Sequence, residues 1–144
     1  MRTVTLNVPD NDYVMIQGLS KSSFAHKVIV KCGGVEQVTL HANGGDRTPG
    51  PDLSALAMNP KDDGKAIFKA HGEISLTFLV KGDNDPDFRD PSSIIKTEHK
   101  VEYSDTFRGG CFMIFVEDQP RPRPQEHNDA VVSVSWVIKD PGDK

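Results

Sequence analysis

Near its C-terminal end the chain places a hydrophobic residue at every second position, Val132, Val134, Trp136 and Ile138, and Ile74, Leu76, Phe78 and Val80 follow the same rule. A two-residue period puts alternate side chains on opposite faces of an extended strand, so each run buries one face and leaves the other to solvent or a partner. Strict alternation over seven residues marks an extended strand rather than the 3.6-residue repeat of an amphipathic helix.

Shorter stretches repeat the pattern. Val4, Leu6 and Val8 share a face before Pro9-Asp10-Asn11-Asp12 breaks the strand. Tyr13 to Gly18, His26 to Cys32 and Val35 to His41 are rich in β-branched and aromatic residues, and Gly33-Gly34 marks a hairpin between the last two. Lys65 to Ala70, Glu98 to Tyr103 and Gly110 to Val116 add further strand candidates. Between them lie two polar connections, residues 42 to 63 and residues 82 to 97, the second carrying Asp83, Asp85, Asp87 and Asp90. Within the first, Leu53-Ser54-Ala55-Leu56-Ala57-Met58 is predicted to form about two helical turns. About eight or nine short strands without a long amphipathic helix specify an all-β fold, a single antiparallel β-sandwich over residues 1–144.

Acidic residues outnumber basic ones, 21 to 17, and the basic ones are scattered, which excludes a nucleic-acid partner. The alternating start Arg2-Thr3-Val4-Thr5-Leu6 lacks the continuous apolar stretch of a signal peptide or membrane span, so no membrane insertion and a cytoplasmic location are expected, with signal-free export left open. Cys32 and Cys111 have no short-spaced Cys or His neighbour for zinc and are expected as reduced thiols at core-facing positions, with a disulfide between them as the alternative.

Catalytic patterns are sparse. His26, His41, His71, His99 and His127 are dispersed, no Gly-x-Ser-x-Gly elbow is present, and the Gly-Gly pairs lack the Lys-Ser/Thr of a phosphate loop. Asp118 and Glu126 form the one carboxylate pair a glycoside hydrolase could use, but spacing does not give their separation. The expectation is a protein that is not an enzyme.

Chemistry concentrates between the last two strands, where Glu117, Asp118, Glu126, Asn128 and Asp129 surround Pro120-Arg121-Pro122-Arg123-Pro124. Hard oxygen ligands on one loop suit calcium, which takes roughly six to eight of them in forgiving geometry and relieves their mutual repulsion. A solvated acidic loop has the same composition, and so does a metal-free loop in which Arg121 or Arg123 pairs with Glu117, Asp118 or Asp129.

Glu117-Asp118 at a strand end, followed by His127-Asn128-Asp129-Ala130-Val131-Val132 and Trp136, resembles the C-terminal signature of the bacterial calcium-dependent fucose- and mannose-binding lectins. The order of strand, Pro-containing turn, strand and Ser22-Ser23 in Val4 to Ala25 is similar to the start of that family. The resemblance implies a lectin binding mono- or oligosaccharides, with Glu117, Glu126, Asn128 and Asp129 as metal ligands. It places Ser20 or Lys21 near a further ligand position, turns Ser22 and Ser23 toward sugar hydroxyls, and makes Asp118 an acceptor from those hydroxyls. It also implies a homodimer or higher homo-oligomer, assembled through strand edges and the C-terminal region.

The sequence departs from that pattern in its longer loop, in the Pro-Arg alternation where the family has further acidic ligands, and in a tail running on from Val137 to Lys144. Proline offers no side-chain oxygen and arginine brings a fixed positive charge, so one calcium ion or none is expected in place of the family's two.

Overall fold

The computed structural model describes residues 2–22, 24–42, 56–60, 66–82, 84–104, 107–118 and 129–138. Alternation becomes strand wherever the sequence has it: β1 (Arg2–Leu6), β2 (Tyr13–Ser20), β3 (Ala25–Cys32) and β4 (Val35–Ala42) are followed by the short β5 (Leu56–Ala57), β6 (Asn59–Pro60) and β7 (Ile67–Lys69), then by β8 (Ile74–Lys81), β9 (Ser93–Ser104), β10 (Phe107–Glu117) and β11 (Ala130–Val137). One sheet runs β1-β8-β3-β4-β6; the other runs β5-β2-β11-β10-β9, with β7 also paired to β2. The ladders between these strands are antiparallel. The chain is therefore an all-β sandwich. Among the described residues no helix is long and apolar enough to cross a membrane.

The core lies between the sheets. Val132, Val134 and Trp136 from one sheet and Ile74, Leu76, Phe78 and Val80 from the other are all buried. Each such side chain contributes on the order of 1.5–3 kcal/mol by leaving water. Ile138 falls one residue past β11 and is half-buried, so it is not the fourth core member that the period predicted. The Ile138 N–H still donates to the Arg108 carbonyl at 3.0 Å, one residue past the end of the strand.

Three further expectations are corrected. Residues 56 to 58 of the predicted helical segment are extended: β5 pairs with Leu19 and Ser20, and Met58 is buried where Gly18 leaves room for its side chain. Residues 53 to 55 lie outside the described residues. Strand β9 begins at Ser93, five residues before the predicted start, because Ile94 packs against the core opposite Val116. Cys111 is half-buried on the outward face of β10, since Phe112 and Ile114 take the inward positions. Cys32 is buried in the other sheet, and both thiols are free.

Gly110 lies opposite Trp136 in the β10–β11 ladder. A Cβ there would come within 2.7 Å of the His99 carbonyl oxygen and 2.8 Å of the indole ring. Gly110→Ala is expected to cost about 1–3 kcal/mol, because it forces the indole or the backbone aside. Chemical denaturation followed by tryptophan fluorescence checks this. An unchanged midpoint with an unchanged emission maximum refutes it.

Candidate functional site

One end of the sandwich gathers the C-terminal ends of β2 and β10 and the N-terminal ends of β3 and β11. Backbone bonds tie the crossing chains together: Lys21 N–H to the Asp129 carbonyl at 2.8 Å, and Asp129 N–H to the Val116 carbonyl at 3.0 Å. The Asp118 N–H donates to Asp129 Oδ2 at 3.0 Å. Ser92 donates to the Glu117 carbonyl from its N–H at 2.9 Å and from its hydroxyl at 3.0 Å.

This frame brings Glu117, Asp118 and Asp129 together, each offering one carboxylate oxygen within 4.8 Å of the others. Two oxygens bound to one calcium at roughly 2.3–2.6 Å can be no farther apart than twice that length, so the spacing fits a shared ion. Glu117 and Asp118 are buried and Asp129 is partly exposed, which leaves the cluster one side open to solvent. The donors are hard oxygens, matching calcium or magnesium better than zinc or copper. Among the described residues this is the one such grouping of His, Cys, Asp and Glu.

Asp118 is the hub. Its Oδ2 accepts from the Ser22 hydroxyl and lies 2.9 Å from His26 Nε2. Ser22 in turn accepts the Phe24 N–H at 2.9 Å, so its hydroxyl is fixed in direction. Burial pushes the Asp118 carboxyl up, but the hydrogen bonds from His26 and Ser22 together outweigh it and hold the group below the ordinary carboxylate range. Asp118 thus stays charged in a buried position.

A second layer steadies the hub from the β8–β9 connection. Arg89 Nη2 donates to the Asp118 carbonyl at 2.8 Å, Nη1 to the Asp90 carbonyl at 3.1 Å and Nε to Asp85 at 3.0 Å. The Gly82 N–H, followed by Arg89, holds the Asp85 carboxyl below its ordinary range against the opposing effect of desolvation. The Arg89 guanidinium also sits over the Phe24 ring at 5.8 Å.

Of the predicted site residues, the structure gathers Glu117, Asp118, Asp129 and Ser22. Ser20 is buried at the end of β2, and its hydroxyl accepts from the Ser22 N–H at 3.4 Å. The predicted ligands Glu126 and Asn128, the predicted sugar contact Ser23, and Arg121 and Arg123 lie outside the described residues. Sequence reasoning missed His26 and Arg89 as members of the site. His26 shares its strand parity with buried Val28, Val30 and Cys32, and that parity was the available signal.

The Ser22, His26 and Asp118 contacts do not form a nucleophilic triad. Both Ser22 and His26 bond the carboxylate, whereas a general base must accept from the serine.

With this geometry in place, comparison with solved structures gives high-confidence matches at very low identity. The Ralstonia solanacearum high-affinity mannose-binding lectin is 12% identical, with a TM-score of 0.50 over 94% of this chain and 96% of its own. The C-terminal domain of the BC2L-C lectin from Burkholderia cenocepacia is 13% identical, with a TM-score of 0.55 over 96% and 98%. The fold is lectin-like. A third lectin-like neighbour, the Chromobacterium violaceum lectin CV2L, solved with α-methyl-fucoside, is 9% identical with a TM-score of 0.50 over 94% and 96%. No protein-family profile and no curated protein sequence matches the chain significantly.

Proposed function

We propose that this protein is a non-enzymatic carbohydrate-binding protein that recognises a mono- or oligosaccharide through one calcium ion at the sandwich end, and that it works as a homodimer or larger homo-oligomer. The observation that carries the reading is the convergence of Glu117, Asp118 and Asp129, with one oxygen each within 4.8 Å of the others. The lectin-like fold supports it, and so do the ligands of two neighbours, mannose and α-methyl-fucoside.

In this reading Glu117 and Asp129 are ligands of the ion, joined by Glu126 and Asn128 from the loop. Calcium supplies a centre on which adjacent sugar hydroxyls can replace water. Asp118 has one oxygen held by Ser22 and His26, and its second oxygen remains available to the ion or to a hydroxyl proton. In this reading Ser23, which follows Ser22 in the sequence, adds a hydroxyl for the sugar. Desolvation strengthens each of these contacts, and the stereochemistry of the hydroxyls sets selectivity.

One observation favours a second reading, a lectin-fold scaffold without metal. Ser22 and His26 already satisfy one oxygen of Asp118, and the Asp118 N–H already satisfies one of Asp129, so part of the cluster is ordered by the protein itself.

Calorimetric calcium titration followed by glycan-array binding with and without chelator separates the two. About one ion per chain and chelator-sensitive glycan binding are expected, with a calcium-dependent rise in melting temperature. Asp129→Asn should weaken calcium roughly tenfold or more and carry sugar affinity down with it, because a ligand charge is lost. Glycan binding that survives the chelator refutes the calcium mechanism. A melting temperature indifferent to calcium, with no glycan bound, selects the scaffold.

A further inference from the structure

The β8–β9 connection, residues 82 to 92, is fastened to three strands of one sheet before it reaches the carboxylates of the other. Arg89 and Val80 exchange backbone bonds, each N–H donating to the other's carbonyl at 2.8 Å, so the connection takes the place beside β8 where β1 has ended. Arg2, at the start of β1, donates from its N–H to Asp90 Oδ1 at 3.2 Å and from Nη2 to the Ser92 carbonyl at 2.9 Å. Lys27 of β3 places its amino group over the Phe88 ring at 4.2 Å.

From this anchored segment two residues reach across the sandwich, and both take backbone carbonyls of the acidic pair. Ser92 gives its N–H and its hydroxyl to the Glu117 carbonyl, at 2.9 and 3.0 Å, and Arg89 gives Nη2 to the Asp118 carbonyl at 2.8 Å. Peptide groups are planar, so a carbonyl fixed at each of two consecutive residues also fixes how their Cα–Cβ bonds point. Backbone carbonyls are calcium ligands in their own right, and here both are engaged by protein donors, which leaves the side chains to meet Asp129. The guanidinium is itself preset: Asp85 Oδ2 accepts from Nε at 3.0 Å, the Asp90 carbonyl accepts from Nη1 at 3.1 Å, and the Phe24 ring lies under its face.

We propose that Arg89 and Ser92 are positioning residues: through the Glu117 and Asp118 carbonyls they set the directions of the two carboxylates, and thereby the calcium affinity of the cluster. The consequence for calcium rests on the reading of the cluster as a calcium site, whereas the ordering of the strand end does not.

Charge and position predict opposite signs. A guanidinium beside a carboxylate cluster repels a divalent cation, so on charge alone Arg89→Ala should tighten calcium. That repulsion is already offset by Asp85, which pairs with the same guanidinium. Loss of an outer partner of metal ligands typically costs about 10–100-fold in affinity, so position should prevail.

Calorimetric calcium titration of the full chain and of Arg89→Ala, Arg89→Lys and Ser92→Ala tests this, beside amide hydrogen exchange without calcium. Arg89→Ala should weaken calcium by about 10–100-fold, and Arg89→Lys should lie between it and wild type, because the charge stays while the fork is lost. Ser92→Ala changes no charge and keeps the Ser92 N–H bond, so a smaller loss in the same direction is expected. In the calcium-free protein the Asp118 and Asp129 amides, which donate to Asp129 Oδ2 and to the Val116 carbonyl, should exchange roughly tenfold faster in Arg89→Ala, while Val132 and Val134 keep the wild-type rate. The backbone pairing of residue 89 with Val80 survives all three substitutions, so the circular dichroism spectrum should not change. Calcium bound by Arg89→Ala as tightly as by wild type, or more tightly, overturns the proposal, and so do wild-type exchange rates at both amides. A wild-type chain that takes no calcium overturns the calcium reading instead, and the exchange rates then decide the positioning alone.

Discussion

Arg108→Ala should lower the unfolding free energy by about 3–5 kcal/mol, among the largest losses any single polar substitution in this chain produces. Arg108 grips Asp12 with both arms of its guanidinium, Nε to Oδ2 at 3.1 Å and Nη2 to Oδ1 at 2.9 Å. The Asp12 side chain is only 2% exposed, whereas that of Arg108 is 31% exposed. Removing the arginine therefore strands a buried carboxylate, while the arginine's own desolvation was never complete. Arg108→Lys keeps the charge but loses the fork geometry, and an intermediate loss is expected. Replacing both partners by Asn and Met should recover much of the loss, because no unpaired charge remains. Urea titration of the three variants tests this ordering. The pair sits at the starts of β2 and β10, the end of the sandwich away from the carboxylate cluster, so calcium affinity measured well below the melting temperature should not change. Equal stability of Arg108→Ala and wild type contradicts the argument.

That pair also shows where the sequence stops being readable. The two-residue period located the long strands because each buries one whole face, and that demand is written locally, residue by residue. Strand β9 was only half visible. It lies at the end of its sheet, so Lys96, Glu98 and Lys100 sit at inward-parity positions near the rim and blur the alternation. Asp12 stood in a strand-breaking run that says nothing of its burial, and its partner lies 96 residues away. The same holds at the site. Glu117, Asp118 and Asp129 were legible because they crowd one loop, and Ser22 through its resemblance to a family motif. His26 is 92 residues from Asp118 and Arg89 is 29, so their roles came into view only once β3 and the β8–β9 connection were folded onto the strand ends. Strand parity gave His26 a buried position but not a partner. A resemblance in sequence order cannot supply a contact that topology creates.

Asp118→Ala should cost about 3 kcal/mol in the calcium-free protein and should also abolish the gain on adding calcium, because it removes one shared acceptor from three separate functions. The Ser22 hydroxyl and His26 Nε2 would lose their common partner in a region where both residues are buried, and each deprived group carries a desolvation penalty of about 1–3 kcal/mol. Bonds made through the Asp118 backbone, from Arg89 to its carbonyl and from its N–H to Asp129, should survive, so the strand end should stay in place and the protein should still fold. The pH dependence supplies an independent signature. Because the folded carboxyl is held below its ordinary range, its contribution is fully present above about pH 4 and is lost as the pH falls below that value through the folded pKa. Wild-type stability should therefore drop more steeply than that of Asp118→Ala on acidification through this window, and the two curves should converge at the acid end. Parallel curves would mean that Asp118 is not held as an ionised hub. A variant that loses calcium binding without losing stability would assign Asp118 to the metal alone and leave Ser22 and His26 as packing contacts.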